Sequence, residues 1–412
     1  MTLRVLHLGW KPIADLRALH ALGAAVTCAA VPADLAAARE SPWLHDVVPV
    51  ADARSAEAVL AGLVRHGLDL SDFDVVSPAN ELEIIPASLL RTINDTPGIG
   101  YRTALGLRDK FVQKQLIRQA GLPVTDCTVV GSLDDVELPV GGKVVIKPLA
   151  GLATIDTHVV PDPVGLAALR EDAALRNRLW LVEQFVEGRE LHLDGVVRGG
   201  RLRALTVSRY LNNSITIKAG IEYASVLLHR VRHPELYERA TELMVAALTA
   251  LHYTDGVFHT EVFLQPAGSL VFSELGGRVG GGGIPGVFKN LLGVDLHQEW
   301  ARSVMGLDSV IGEDGPAWPA TGTAGWIHLK AAPGRVLVTP AVEEVLQQAG
   351  VVEAEVRLVV GEPTPDVTVH SAARAGCAVV IGEDETEVER RLLAVSRWFP
   401  AQVTVTSGAE ED

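Results

Sequence analysis

Cysteine is scarce in this chain, and so is positive charge. Only three cysteines, Cys28, Cys127 and Cys377, occur in 412 residues, far apart and with no CxxC pair. That excludes a cysteine-ligated zinc ribbon and a dithiol redox motif. It also argues against a disulfide framework and fits a reducing cytoplasm. Lys and Arg total 36 against 51 Asp and Glu, a net charge of −15. Such a chain lacks the basic surface that nucleic acids or anionic membranes require. A polyanionic ligand must therefore be met by a local cluster of cations or by metal ions. Long apolar runs are missing too. The longest uncharged stretch, Ala18 to Ala33, contains His20, Gly23 and Pro32, and it is too short to span a bilayer. Val5-Leu6-His7-Leu8-Gly9-Trp10 is too short for the core of a secretory leader. Also absent is the dinucleotide fingerprint: the first strand is followed by Gly9-Trp10-Lys11-Pro12, not GxGxxG, so no bound nicotinamide is expected.

What is present is ordinary globular material, 48% hydrophobic and 21% charged, enough for two or three domains. The first hundred residues alternate. Val5–Leu8, Ala25–Cys28 and Phe73–Val76 read as strands, and Pro12–Leu22 and Ser55–Arg65 as helices. That rhythm predicts a small doubly wound βαβ lobe with a parallel sheet. Thr103–Ala120 reads as one helix, as do His233–Tyr253 and Val287–Met305, with strand-like runs between them. Residues 306–320, rich in Gly, Pro and Asp, read as a linker. The last ninety or so residues return to short mixed elements, and the tail Gly408–Asp412 reads as frayed.

The most informative local geometry lies at residues 258–275. Phe258–Gln265 and Leu270–Leu275 form a hairpin around Pro266-Ala267-Gly268-Ser269. If Gln265 faces Leu270, Glu261 falls opposite Glu274, with Cβ atoms ~4.5–5.5 Å apart. Two carboxylates so placed repel one another unless a cation sits between them, and hard oxygen donors suit Mg²⁺. Alternatively they are two solvated glutamates on an exposed face, and a slip of one residue would separate them. His259 shares the face of Glu261; it could orient substrate, act as a base, or be a packed core histidine. Next comes Leu275-Gly276-Gly277-Arg278-Val279-Gly280-Gly281-Gly282-Gly283-Ile284-Pro285-Gly286. Glycines let backbone N–H groups approach an anion closely, and Arg278 adds a planar fork for carboxylate or phosphate. A flexible linker is the bland alternative.

Val144-Val145-Ile146-Lys147-Pro148 ends a strand on a lysine, before the small-residue loop Leu149–Asp156. Such a loop could close over phosphates. Lys110 and Lys114, four apart, share a helix face. Taken alone, each lysine is a solvated side chain.

In order, the chain holds Asp109-Lys110, Val145-Ile146-Lys147-Pro148 and Glu183-Gln184-Phe185-Val186-Glu187-Gly188-Arg189-Glu190. Then come Gly256-Val257-Phe258-His259-Thr260-Glu261 and Glu274-Leu275-Gly276-Gly277-Arg278 with its glycine run. This series resembles the ATP-grasp superfamily, most of all its carboxylate–amine ligases, including L-amino-acid ligases and other dipeptide-forming enzymes. The resemblance implies an N-terminal βαβ domain over 1–100 and an ATP-grasp domain over 101–305. Within the latter it implies a small lobe about 125–187 and a large lobe about 188–305, with a C-terminal α/β domain over 306–412.

Roles follow from the resemblance at matching positions. Lys110 and Lys147 would contact ATP phosphates, with Gly151 and Thr154 in the mobile cover. Glu183 and the backbone of Gln184, Phe185 and Val186 would form the adenine hinge, with Glu190 near the ribose. Glu261 and Glu274 would hold Mg²⁺ (or Mn²⁺), and Arg278 would steady the reacting carboxyl and phosphoryl groups. The family pattern is Glu-x-Asn-x-Arg, whereas Gly276 stands at the Asn place here. Another group must then substitute for that ligand, or the second metal is held less tightly. The implied activity is ATP-dependent joining of a carboxylate, with an amino acid as the expected acid, to an amine through an acyl phosphate, and homodimers are frequent in the family. A biotin-carboxylase-like enzyme using bicarbonate and a non-catalytic nucleotide-binding protein are the alternatives. Arg209 and Lys218 are further candidates for the site, and substrate contacts are expected from residues 209–225 and from Trp326 to Arg335.

Overall fold

The computed structural model describes residues 2–140, 142–152, 154–219, 221–366 and 373–406. The tail Gly408–Asp412 and the side chain of Lys218 therefore lie outside the described residues.

The N-terminal lobe is a four-stranded parallel sheet in the order Asp46–Pro49, Ala25–Ala30, Arg4–Leu8, Val75–Pro78. Its strands are apolar runs because helices cover both faces. Ile13–Ala21 packs on one face, and Ala56–Arg65 and Ile84–Asn94 on the other. Ser55 starts its helix as a cap, its hydroxyl accepting from Ala58 N–H at 3.1 Å. The strand expected at Phe73–Val76 runs two residues further on, to Pro78, while Phe73 packs in the core. The strand Asp46–Pro49 was not legible, because it is only four residues long and ends in proline.

Two larger antiparallel sheets follow, besides the short antiparallel pair Val336–Val338 and Thr404–Val405. The smaller has the order Cys127–Val130, Trp180–Gln184, Val144–Lys147, His158–Val160. The larger has eight strands: Leu270–Gly276, Gly256–Leu264, Arg189–Arg198, Arg201–Tyr210, Ala224–Leu227, Thr323–Leu329, Gly376–Gly382 and Val351–Val356. Its last three strands come from the region after residue 306 and continue the sheet begun at Arg189.

Two of the long helices expected from the sequence, Thr103–Ala120 and Val287–Met305, are each broken in two. Asp109 ends Tyr101–Arg108 and caps Lys110–Gln119, its carboxylate accepting from Phe111 and Val112 N–H at 2.9 Å. Gly293 in the left-handed region closes Ile284–Leu292, and Asp295 caps Leu296–Val304. The apolar repeat runs on across both breaks, so periodicity alone hid them. The segment read as a linker is tied down. Buried Glu299 accepts from Ser309 Oγ and from Val310 N–H at 2.8 Å each, and Trp318 packs edge-on against His229 and Tyr237.

One glycine in the large sheet has no room to grow. A Cβ on Gly195 would lie 2.2 Å from Ala204 O and 2.6 Å from Phe258 Cζ. Gly195→Ala must part the central strands, and is expected to destabilise the protein by about 1–3 kcal/mol or more. A thermal melt tests this; an unchanged midpoint would refute the close approach.

Candidate active site

The hairpin brings the two glutamates together by a different route from the expected one. Leu264, not Gln265, faces Leu270, so the register near the turn is off by one residue. A bulge at Ser273 takes up the extra residue, and beyond it Glu261 lies opposite Glu274. Bulges cluster beside functional sites because they re-aim local groups. Here the freed Ser273 carbonyl accepts from Lys114 Nζ at 2.5 Å.

Around this pair stands a lattice of charge. Lys110 Nζ lies 3.3 Å from Glu274, Lys147 Nζ 3.6 Å from Glu274 and 3.2 Å from Glu183, and Lys114 Nζ 3.1 Å from Glu183. Lys114 is not the solvated lysine that the sequence suggested; it is fully buried and also donates to Thr125 Oγ1 at 2.7 Å. Burial disfavours the Glu183 carboxylate, but Lys114 and Lys147 outweigh it and hold its pKa below the ordinary range. Glu274 behaves likewise: burial is overcome by Lys110 and Lys147. Glu190 is the opposite case. Burial, then the nearby Glu261 charge, push it up to about 8, against a hydrogen bond from Ser214 N–H.

The twelve positions to which the resemblance assigned roles all line one cavity of about 470 Å³: Lys110, Lys147, Gly151, Thr154, Glu183, Gln184, Phe185, Val186, Glu190, Glu261, Glu274 and Arg278. The cover loop is tethered at its start, where Gly151 O accepts from Lys110 Nζ at 3.1 Å and from Arg108 Nη1 at 3.3 Å; Ala153 lies outside the described residues. At the hinge, Gln184 N–H donates to Asp126 O and Phe185 N–H to Lys143 O. Those two donors are therefore committed within the protein. Arg209 does not enter the cavity; it pairs with Glu389 of the helix Glu385–Gln402.

His259 does line the cavity. Its Nδ1 lies 2.8 Å from Asp194 and its Nε2 3.8 Å from Glu261. Asp194 also meets His192 Nδ1 at 2.5 Å, and His192 Nε2 meets Ser225 Oγ at 2.5 Å. Burial lowers the His259 pKa, but Asp194 and then Glu261 raise it, to about 9. These atoms satisfy one another and form a hydrogen-bond chain. The carboxylates of Glu261 and Glu274 are the donors that suit a hard divalent cation shared with phosphate oxygens.

Sequence reasoning missed one wall. Asn80, Glu81 and Leu82 reach the cavity from the N-terminal lobe, and Glu81 Oε1 lies 3.2 Å from Arg278 Nε. They sit at the carboxyl end of the strand Val75–Pro78, where open parallel sheets place ligands, a rule that could have flagged them. Another part of the lining is aromatic. Tyr210 and Tyr223 stack at 5.3 Å, and Trp326 meets both edge-on. These fall in the segments where substrate contacts were expected.

No family model matches the chain. It is 24% identical over 377 residues to the L-arginine-specific L-amino acid ligase of Bacillus subtilis, covering 88% of each chain. Among solved structures, the L-amino acid ligase from Bacillus licheniformis superposes with a TM-score of 0.80 at 19% identity, over 99% of this chain and 100% of that one. The biotin carboxylase domain of Hydrogenobacter thermophilus 2-oxoglutarate carboxylase, in complex with MgADP, ADP and bicarbonate, superposes with a TM-score of 0.70 at 15% identity, over 98% and 91%.

Proposed function

We infer that this chain, which has the ATP-grasp fold, is an ADP-forming ligase that joins a carboxylate to an amine. The observation that carries the reading is the convergence of Glu261, Glu274, Lys110, Lys147 and Arg278 on one cavity. The likeness to L-amino acid ligases over nearly the whole chain supports it over the bicarbonate alternative. The substrates are small molecules, with an amino acid on the carboxylate side.

A carboxylate is a poor electrophile, so amide formation in water needs activation. Transfer of the γ-phosphoryl group of ATP to a carboxylate oxygen gives an acyl phosphate and ADP. Attack of the amine on the acyl carbon then gives the amide and releases phosphate. The protein's work is positioning and charge neutralisation. Lys110 and Lys147 hold the phosphates. Arg278 holds the reacting carboxylate and steadies the oxyanion formed as the amine attacks. Gly151 and Thr154 belong to the cover that keeps water from the acyl phosphate. Gln184 to Val186 border the base and Glu190 the ribose. Bound at Glu261 and Glu274, Mg²⁺ supplies charge neutralisation at the phosphates, with Mn²⁺ as a substitute. A cytoplasmic homodimer completes the reading; among the described residues no helix is long and apolar enough to cross a membrane.

The test is phosphate release from Mg·ATP with single amino acids, then pairs, and hydroxylamine in a parallel set. Release that depends on one acid, with its hydroxamate trapped, is the expected result. Release that depends on bicarbonate instead would favour the carboxylase reading. Nucleotide binding without turnover on any acid would favour a non-catalytic one.

A further inference from the structure

Gly276 and Glu81 fit one another. Gly276 stands at the edge-strand position opposite His259, two residues from Glu274. A Cβ built there would be 3.5 Å from Glu81 Oε2 and 3.5 Å from Arg278 Cγ. That is ordinary contact, so a single methyl group fits, but asparagine carries three more heavy atoms. Those atoms would contend for the space held by the Glu81 carboxylate. Glu81 reaches this place from the other end of the chain, 197 residues away, and its other oxygen meets Arg278 Nε at 3.2 Å. Arg278 Nη1 is held by Val279 O at 3.1 Å. With Nε and Nη1 engaged, the rest of the guanidinium edge is left toward the cavity that Arg278 lines. The pair is largely enclosed, with side-chain exposures of 32% for Arg278 and 14% for Glu81.

Glu81 is itself held in place. Asn80 Oδ1 accepts from Leu82 N–H at 2.9 Å, which fixes the turn that carries it. Arg278 stands in a glycine-rich run, between Gly277 and Val279.

We propose that Glu81 is the positioning residue for Arg278, and that glycine at 276 is the space this cross-lobe contact requires. The N-terminal lobe thereby completes the substrate end of the site. The inference rests on the ligase reading for its kinetic part, and on geometry alone for the rest.

The experiment uses the full chain and six variants: Glu81→Ala, Glu81→Gln, Gly276→Asn, Arg278→Ala and the double variants Glu81→Ala/Gly276→Asn and Glu81→Ala/Arg278→Ala. Misplacement of Arg278 should lower kcat by about 10²-fold in Glu81→Ala and in Gly276→Asn. Glu81→Gln, which keeps an acceptor oxygen, should retain more turnover than Glu81→Ala. Mg·ADP affinity, measured by calorimetry, should stay unchanged in Glu81→Ala, Glu81→Gln and Arg278→Ala. The Glu81→Ala/Gly276→Asn variant should be no slower than either single variant, because both changes act through the same arginine. Losses that multiply, or a Gly276→Asn enzyme as fast as the parent, would overturn the proposal. A second readout stands apart from activity. The melting-point losses of Glu81→Ala and Arg278→Ala should fail to add when combined, since each removes the same contact. If the parent turns over no acid, the ligase reading fails while this cycle still decides the contact; additive losses refute it.

Discussion

Replacing Arg278 by alanine is expected to lower turnover by about 10²–10³-fold, the usual cost of removing a donor aimed at developing negative charge. On the assignment proposed above, Mg·ADP affinity should hold, because other groups would grip the nucleotide: Lys110 and Lys147 at the phosphates, and the Gln184–Val186 segment at the base. Single-turnover hydroxamate trapping separates the two parts of the role. If Arg278 orients the carboxylate for phosphoryl transfer, acyl phosphate itself fails to form. If it serves only the amine step, hydroxamate still accumulates with the small nucleophile while peptide does not. Unchanged turnover with the natural amine would remove Arg278 from the site.

Glu183→Gln should be the most damaging single change to stability. Two enclosed ammonium groups, Lys114 and Lys147, share this carboxylate, and Lys114 has no exposed surface. Amide in place of carboxylate leaves two like charges facing each other out of water. Removing one partner of such a buried set costs about 3–5 kcal/mol. The midpoint of thermal or urea unfolding measures the loss. Adding Lys114→Met to Glu183→Gln should recover part of it, because one of the stranded charges is then gone. A Glu183→Gln protein as stable as the parent would show that the lattice contributes little to the fold.

Much of this site could be read from the sequence, because the motifs that carry charge sit at strand ends and turns. Glu261 and Glu274 were paired correctly by an argument that was wrong at the turn. The assumed Gln265–Leu270 pairing and the unseen bulge at Ser273 offset each other. A bulge leaves no mark in periodicity, since it is decided by what the freed carbonyl binds, here Lys114 from a distant helix. Lys114 was misjudged for the same reason: its partners Thr125, Glu183 and Ser273 converge only in the fold. The breaks at Asp109 and at Gly293 to Asp295 were legible as caps, had capping been weighed against apolar spacing. Glu81 could have been flagged by its place at a strand's carboxyl end, but its contact with Arg278 was out of reach, because nothing local ties it to an arginine in the glycine run.

The eight-stranded sheet bears on how such a chain can be recombined. Ala224–Leu227 meets Thr323–Leu329 along Ala224 to Ile327, Ser225 to Trp326 and Val226 to Gly325. A chimera cut near residue 306 would set a foreign strand against that row, and with it a foreign residue in place of Trp326 beneath Gly282 and Gly283. A crossover placed ahead of Arg189 would carry the whole sheet as one cassette, with the glycine run and the indole it lies on inherited together.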